Sequence, residues 1–145
     1  MRFPADGHEL PFPAFLQRVM SMYELSVKTH FSAAHHLRNY QGKCADPHGH
    51  NWEVEVFVAG DNLNGEGLLV DFRFLKDTVK EILGRLDHAD LNKLESFGES
   101  NPTSENIARH IYEELSATLK NADCSVSRVL VRETTETSAS YTAKQ

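Results

Sequence analysis

The sequence contains little cysteine, no long apolar run and no excess of basic residues. Two cysteines among 145 residues cannot form the disulfide framework of a small secreted scaffold. No uninterrupted apolar stretch approaches the roughly 18 residues that a membrane-spanning helix needs. The first residues also lack the basic and then apolar pattern of a secretory signal. These absences exclude a disulfide-rich secreted domain and predict a cytoplasmic protein without a membrane span.

The charge balance is acidic, with 15 Lys+Arg against 21 Asp+Glu and a formal net charge of −6. This argues against a protein that binds nucleic acid mainly through its phosphates. Hydrophobic residues make up 40% of the chain and charged residues 25%, which is typical of one globular domain of this length. The unusual abundance is histidine, with 8 residues, several of them between His30 and His50.

Residues 1–21 differ from the rest of the chain. They show neither strand alternation nor a clear helical pattern. Their turn-forming residues are Pro4, Gly7, Pro11 and Pro13. We interpret this stretch as an N-terminal extension. The domain is predicted to cover residues 22–145.

Apolar residues that alternate with polar ones predict two strands at the start of the domain. The first begins at Tyr23, and the second covers Asn51 to Ala59 with four apolar residues on one face, Trp52, Val54, Val56 and Val58. The stretch from Gly60 to Gly67 is rich in glycine, asparagine and aspartate. It predicts a hairpin turn, with Leu68 to Val70 as the second limb.

The periodicity then becomes helical. Asp71 is predicted to cap a first helix with apolar positions at Leu75, Val79, Ile82, Leu83 and Leu86. Thr103 is predicted to cap a second helix, with apolar positions at Ile107, Ile111, Leu115 and Leu119. Two further strands, Ser125 to Glu133 and Ser138 to Ala143, complete the domain.

The resulting order, β-β-α-α-β-β, predicts a two-layer α+β domain with a four-stranded sheet and two helices on one face. Such a sheet has unpaired edges, which favour pairing with another copy of the chain. We also expect Trp52 to lie on the open face of the sheet. Both features predict a homo-oligomer.

Three histidines are candidates for a metal site. His48 and His50 are two residues apart at the start of a predicted strand, so their side chains project to the same side. If the first two strands form a hairpin, His35 reaches the same place. Three imidazoles with an open fourth position are typical of catalytic zinc, although other divalent metals accept nitrogen ligands too. The remaining histidines are assigned no role.

Cys44 precedes the histidine pair in the loop Gly42-Lys43-Cys44, and two interpretations remain open. The thiol is either a fourth zinc ligand that closes the site, or a thiolate that takes a proton from a bound substrate.

Two acidic positions suggest further chemistry. Asp87 next to His88 is typical of a proton relay, or else His88 only stabilises the end of the helix. Glu133 shares the buried parity of its predicted strand, which favours a cation or a ligand as its partner.

Five motifs occur in the same order in the 6-pyruvoyl-tetrahydropterin synthase family, which the chain resembles over about Met22 to Ala143. They are Phe31-Ser32-Ala33-Ala34-His35, Gly42-Lys43-Cys44 with His48-Gly49-His50, Leu86-Asp87-His88, Asn101-Pro102-Thr103-Ser104-Glu105-Asn106 and Arg132-Glu133-Thr134. The short gap between Cys44 and His48 is most similar to the bacterial branch that makes 6-carboxy-5,6,7,8-tetrahydropterin for queuosine biosynthesis.

The resemblance implies a tunnelling (T-fold) subunit that closes a barrel as a trimer, with two trimers forming a homohexamer and active sites at subunit interfaces. It implies that His35, His48 and His50 bind Zn²⁺, and that Cys44 accepts a proton with Asp87 and His88 as its relay. Glu133 would anchor the guanidine-like edge of the pterin, and the backbone of Thr103 and Ser104 would lie against its ring.

The implied reaction is a zinc-dependent lyase reaction on 7,8-dihydroneopterin triphosphate, which yields 6-carboxytetrahydropterin, acetaldehyde and triphosphate. Within the family, the alternative is the pyruvoyl synthase reaction on the same substrate without loss of acetaldehyde. A third branch carries a glutamate at or beside the cysteine, where this chain has Ala45 and Asp46. From a different class, the chain would be a non-catalytic oligomer stabilised by zinc.

Overall fold

The computed structural model describes residues 22–144, so the predicted extension 1–21 lies outside the described residues. Four strands form one sheet: β1 (Tyr23–His35), β2 (His48–Gly60), β3 (Ser125–Arg132) and β4 (Ser138–Tyr141). Two helices, α1 (Phe72–Gly84) and α2 (Ser104–Thr118), lie between β2 and β3 in the chain. The sheet order is β1-β2-β3-β4, and every neighbouring pair is antiparallel. The predicted fold class is confirmed.

The core lies between the sheet and the helices. Alternate residues of the strands face the helices, and the apolar stripes of α1 and α2 face back, as the two periodicities require. Its largest fully buried side chains include Phe31, Trp52, Leu75, Ile107, Ile111 and Leu115. Both predicted caps are present: the side chain of Asp71 accepts from the amide of Arg73, and Thr103 accepts from the amide of Asn106. Helix α1 ends at Gly84, before Leu86, which is nevertheless buried.

The expectation that Trp52 lies on the open face of the sheet is wrong. Its side chain is fully buried beside Phe31, because Trp52 shares the strand parity of Val54 and Val56. The open face is polar instead, with Lys28 paired to Glu53 across the two strands. Because Trp52 is buried, it gives no argument for self-association. The strand edges are the argument that remains.

The predicted hairpin after β2 is also wrong, because Leu68 to Val70 form no strand. The side chain of Asn64 accepts from the amides of Glu66 and Leu68 and folds this loop on itself. Leu69 is buried in the core next to Gly60, where a Cβ on Gly60 would lie 2.7 Å from the Leu69 side chain. The loop thus turns Leu69 inward and leads directly into α1.

Within residues 22–144, no helix combines the length and the apolar character needed to cross a bilayer.

Candidate metal centre and active site

The register of β1 and β2 brings the three candidate histidines together. His35 is paired with His48, and Ala33 with His50, so the three side chains converge at one end of the hairpin. The ring centroid of His35 lies 4.5 Å from that of His48 and 5.2 Å from that of His50. Strand β1 extends as far as His35, so the hairpin itself sets the spacing of all three rings.

Glu133 is the fourth member of this cluster. It follows the last residue of β3, and its Oε1 lies 2.6 Å from Nε2 of His50 and 3.8 Å from Nε2 of His35. One ligand atom from each of the four residues lies within 4.8 Å of the others. Sequence parity indicated a cation or a ligand near Glu133, and the cluster supplies a place for one.

Backbone carbonyls hold two of the imidazoles. Nδ1 of His35 lies 2.7 Å from the carbonyl oxygen of Pro102, and Nδ1 of His48 lies 2.8 Å from that of Asp46. Since a carbonyl only accepts, both Nδ1 atoms carry the proton, and each Nε2 keeps a free lone pair. This arrangement of the second ring nitrogen is typical of histidines that bind metals.

The cluster fits a metal ion. Among residues 22–144, the buried Nε2 atoms of His35 and His50 have no hydrogen-bond partner, and both lie within 4 Å of Oε1 of Glu133. Burial lowers the pKa of His35 and thus favours the neutral ring that a metal requires. Three neutral imidazoles and a carboxylate can bind a divalent transition metal.

Cys44 lies outside this cluster. It lies in a 3-10 helix of one turn, Lys43–Ala45, and is partly buried. The carbonyl of Cys44 accepts from the amide of Leu37 at 2.7 Å. Its sulfur is not one of the four ligand atoms, and the fourth is a Glu133 oxygen. The sulfur of Cys44 therefore lies outside the candidate ligand set.

Asp87 and His88 form a pair beside β1. Oδ2 of Asp87 lies 3.0 Å from Nδ1 of His88, and Oδ1 accepts from the amide of Ser32 at 2.9 Å. That donation lowers the pKa of Asp87 and keeps it ionised. His88 has a positive φ of 58°, and its amide donates to the carbonyl of Ser32 at 2.6 Å. The imidazole of His88 is largely exposed.

A shallow cavity of about 390 Å³ lies beside His88 on the open face of the sheet, where Ser32 and Asn51 line it. The side chains of His35, His48 and His50 have the opposite strand parity and lie on the side of the sheet that faces the helices. Cys44 is absent from the residues that line this cavity in the described part of the chain. Within residues 22–144 of one chain, neither His88 nor Cys44 is therefore part of the histidine cluster.

Thr103 and Ser104 begin α2 next to the cluster, because the preceding Pro102 contacts His35. The family resemblance implies that the backbone of Thr103 and Ser104 lies against the pterin ring. It did not indicate that the Pro102 carbonyl holds a candidate metal ligand.

The segment from Asp87 to Asn101 covers the free edge of β1 near the site. Ser32 bonds to Asp87 and His88, and the amide of Ala34 donates to the carbonyl of Ala89 at 3.0 Å. Beyond the strand, the backbones of His36 and Arg38 bond to the side chains of Asn92 and Asn101. We call this segment the edge cover.

Comparison with known proteins agrees with this geometry. A sequence model for 6-pyruvoyl tetrahydropterin synthase matches residues 24–144. A Bacillus subtilis protein named 6-carboxy-5,6,7,8-tetrahydropterin synthase is 39% identical over 131 residues, which cover 85% of this chain and 87% of that protein. A Drosophila melanogaster 6-pyruvoyl tetrahydrobiopterin synthase is 33% identical over 125 residues, 77% of this chain and 74% of the fly protein.

The structure of Caenorhabditis elegans 6-pyruvoyl tetrahydropterin synthase superposes with a TM-score of 0.78 at 28% identity, over 86% of this chain and 98% of the worm protein. The fold, the candidate centre and these matches together define an enzyme of the lyase type. The chain belongs to the 6-pyruvoyl tetrahydropterin synthase family, which confirms the resemblance noted from its motifs.

Proposed function

We propose that this enzyme converts 7,8-dihydroneopterin triphosphate to 6-carboxy-5,6,7,8-tetrahydropterin, acetaldehyde and triphosphate, as a step of queuosine biosynthesis. The observation that carries the proposal is the cluster of His35, His48, His50 and Glu133, together with an Asp87–His88 pair, in a chain 39% identical to a protein named 6-carboxy-5,6,7,8-tetrahydropterin synthase. The catalytic domain is residues 22–145.

The three histidines would hold Zn²⁺ through their Nε2 atoms. When bound, the metal would make the side-chain hydroxyls of the substrate more acidic and stabilise the negative charge that develops on them. The ring of His35 supports this role because it is buried and held by the Pro102 carbonyl. Little conformational entropy is therefore lost when this ring binds a metal.

Cys44 would accept a proton from the substrate side chain, and Nε2 of His88 would exchange one on the other side. Asp87 would hold Nδ1 of His88 and stabilise the charged imidazole. Glu133 would anchor the guanidine-like edge of the pterin, with the Thr103–Ser104 backbone against its ring. Since neither Cys44 nor His88 belongs to the cluster within residues 22–144, the complete site would draw residues from two copies of a homohexamer.

The experiment that tests this proposal identifies the products. Purified protein loaded with Zn²⁺ is incubated with 7,8-dihydroneopterin triphosphate, the pterin is identified by mass spectrometry, and acetaldehyde is assayed. We expect 6-carboxytetrahydropterin and acetaldehyde in equal amounts. A pyruvoyl product without acetaldehyde would assign the alternative family reaction, and no turnover would favour the non-catalytic zinc-stabilised oligomer.

A matched pair of variants tests the metal requirement in the same assay. His48→Ala removes a member of the cluster, whereas His36→Ala removes a ring outside it. We expect His48→Ala to lose most of its zinc and its activity, and His36→Ala to keep both. Full zinc content in a His48→Ala, His50→Ala double variant would contradict the proposed ligand set.

A further inference from the structure

Two asparagine side chains hold the residues that follow His35. The amide of His36 donates to Oδ1 of Asn92 at 2.8 Å, and Nδ2 of Asn92 donates to the carbonyl of His36 at 3.0 Å. Asn101 does the same for Arg38, with distances of 2.8 Å and 3.1 Å. Each asparagine thus bonds to both backbone groups of one residue, as a neighbouring strand would.

Asn101 is itself fixed on its own backbone. Its carbonyl accepts from Nδ2 of Asn106 at 2.8 Å and from the amide of Thr103 at 2.8 Å. The next residue is the buried Pro102, whose carbonyl contacts Nδ1 of His35 at 2.7 Å. The side chain of Asn101 therefore joins the segment after His35 to the carbonyl that holds its ring.

We propose that Asn92 and Asn101 are positioning residues for the candidate metal ligand His35. They hold the end of β1 against the edge cover, and Asn101 also fixes the Pro102 carbonyl that turns Nε2 of His35 toward the cluster. This proposal rests on the metal centre of the proposed function. Partners that orient a ligand imidazole typically contribute about 10–100-fold to metal affinity.

The amide group is essential to this role because it presents a donor and an acceptor side by side. An aspartate at either position still accepts from the backbone amide, but its second oxygen then faces the backbone carbonyl and repels it. Aspartate has nearly the same shape as asparagine, so the substitution removes the donor without opening a cavity.

The added charge makes the test sharper. A negative charge near a cation site strengthens cation binding by Coulomb attraction alone. Misplacement of the His35 imidazole weakens cation binding. The two effects have opposite signs, so a loss of affinity in Asn101→Asp or Asn92→Asp reports on position and not on charge.

The experiment measures the Zn²⁺ affinity of the metal-free full-length protein by competition with a chromophoric chelator. The variants are Asn92→Asp and Asn101→Asp, with Asn64→Asp as the matched control. Asn64 uses only Oδ1 in its bonds to the amides of Glu66 and Leu68, and an aspartate keeps both bonds. We expect affinity to fall about 10–100-fold in the first two variants and to stay within twofold of the parent in the control.

A second readout follows the imidazole itself. Nitrogen-15 NMR of the metal-free parent should show His35 protonated on Nδ1, and Asn101→Asp should show a mixture of the two tautomers. A structural role elsewhere in the fold would not change this ratio.

The outcomes separate the two proposals. If the parent protein binds no Zn²⁺, the metal centre of the proposed function is wrong. If the parent binds Zn²⁺ and folded Asn101→Asp binds it within twofold with an unchanged tautomer, the positioning role is wrong. If Asn101→Asp and the uncharged Asn101→Ala both lose their circular dichroism spectrum, the residue maintains the fold and the positioning role is again wrong.

Discussion

At the scale of single residues, the candidate centre depends on which nitrogen each histidine presents. The carbonyls of Pro102 and Asp46 take the Nδ1 protons of His35 and His48, so the Nε2 lone pairs point at a common space. Glu133 adds a carboxylate to that space. Because backbone carbonyls fix the orientation of two of the rings, the ordering cost of binding a cation is lowered.

The role of Cys44 can be tested by removing its thiol. Because the sulfur lies outside the four-residue cluster, Cys44→Ala should keep its zinc and its oligomeric state. Loss of a general base typically lowers turnover about 10²–10⁴-fold, and we expect a decrease of at least that order. The measurement is zinc content and turnover on the same preparation, with Cys124→Ala as the control. Zinc lost in step with activity would identify Cys44 as a ligand.

Glu133 offers a second residue-scale prediction. If its carboxylate anchors the pterin, Glu133→Gln should retain zinc and raise KM for the pterin substrate, because a neutral amide cannot pair with a guanidine-like edge as strongly. If the carboxylate is instead a required metal ligand, zinc will fall with it. Metal analysis and steady-state kinetics distinguish these roles, and Glu136→Gln is the matched control in the exposed turn after β3.

The residues of the cluster differ in how far the sequence could predict them. His48 and His50 follow from strand periodicity, and His35 follows once the hairpin is assumed. The presence of Glu133 in the cluster depends on β2–β3 pairing across a long separation in sequence, which no local pattern encodes. Pro102 contributes only its backbone carbonyl, which every residue has, so no sequence pattern predicts its contact with His35.

At the scale of elements, local sequence patterns predict the starts of the two helices correctly, but they predict a hairpin after β2 that the structure does not contain. The starts of α1 and α2 follow from Asp71 and Thr103, since capping is a local interaction. The composition of residues 60–67 is typical of a turn and therefore predicts a hairpin with residues 68–70 as its second limb. Burial of Leu69 in the core outweighed that tendency, and tertiary packing is invisible in a short window.

The cap of α1 gives a prediction about stability. Oδ1 of Asp71 accepts from the amide of Arg73 at 2.7 Å, and Asp71→Ala leaves that amide without its partner. We expect the free energy of unfolding to fall by about 1 kcal/mol, measured by urea denaturation of the metal-free protein. Asp61→Ala, in the loop before the helix, should change it by less than about 0.5 kcal/mol. Equal effects from the two substitutions would contradict the capping role.

At the scale of the whole molecule, the edges of the sheet bear on assembly. Among residues 22–144 the sheet ends at β1 on one side and at the four-residue β4 on the other, and such edges favour strand pairing with another copy. The amides of Ser32 and Ala34 point to the free edge of β1, so the amide of Lys28, which has the same parity, does too.

We therefore expect a homohexamer by light scattering, and a smaller species for Lys28→Pro. Proline removes the edge amide that another strand would need, whereas the ladder with β2 uses residues of the other parity. Lys28→Ala keeps the amide and loses only the exposed pair with Glu53, so it should assemble normally. A parent protein that is monomeric and fully active when dilute would exclude both the barrel and a shared site.

The edge cover also sets a limit on where a second copy can attach. From Ser32 onward the outward backbone groups of β1 are bonded to the edge cover, whereas those from Tyr23 to Phe31 have no backbone partner among residues 22–144. In the proposed assembly, a strand that pairs with the edge of β1 would meet the edge cover before it reached the histidines. The contacts that we propose to position His35 would then also fix the register between subunits.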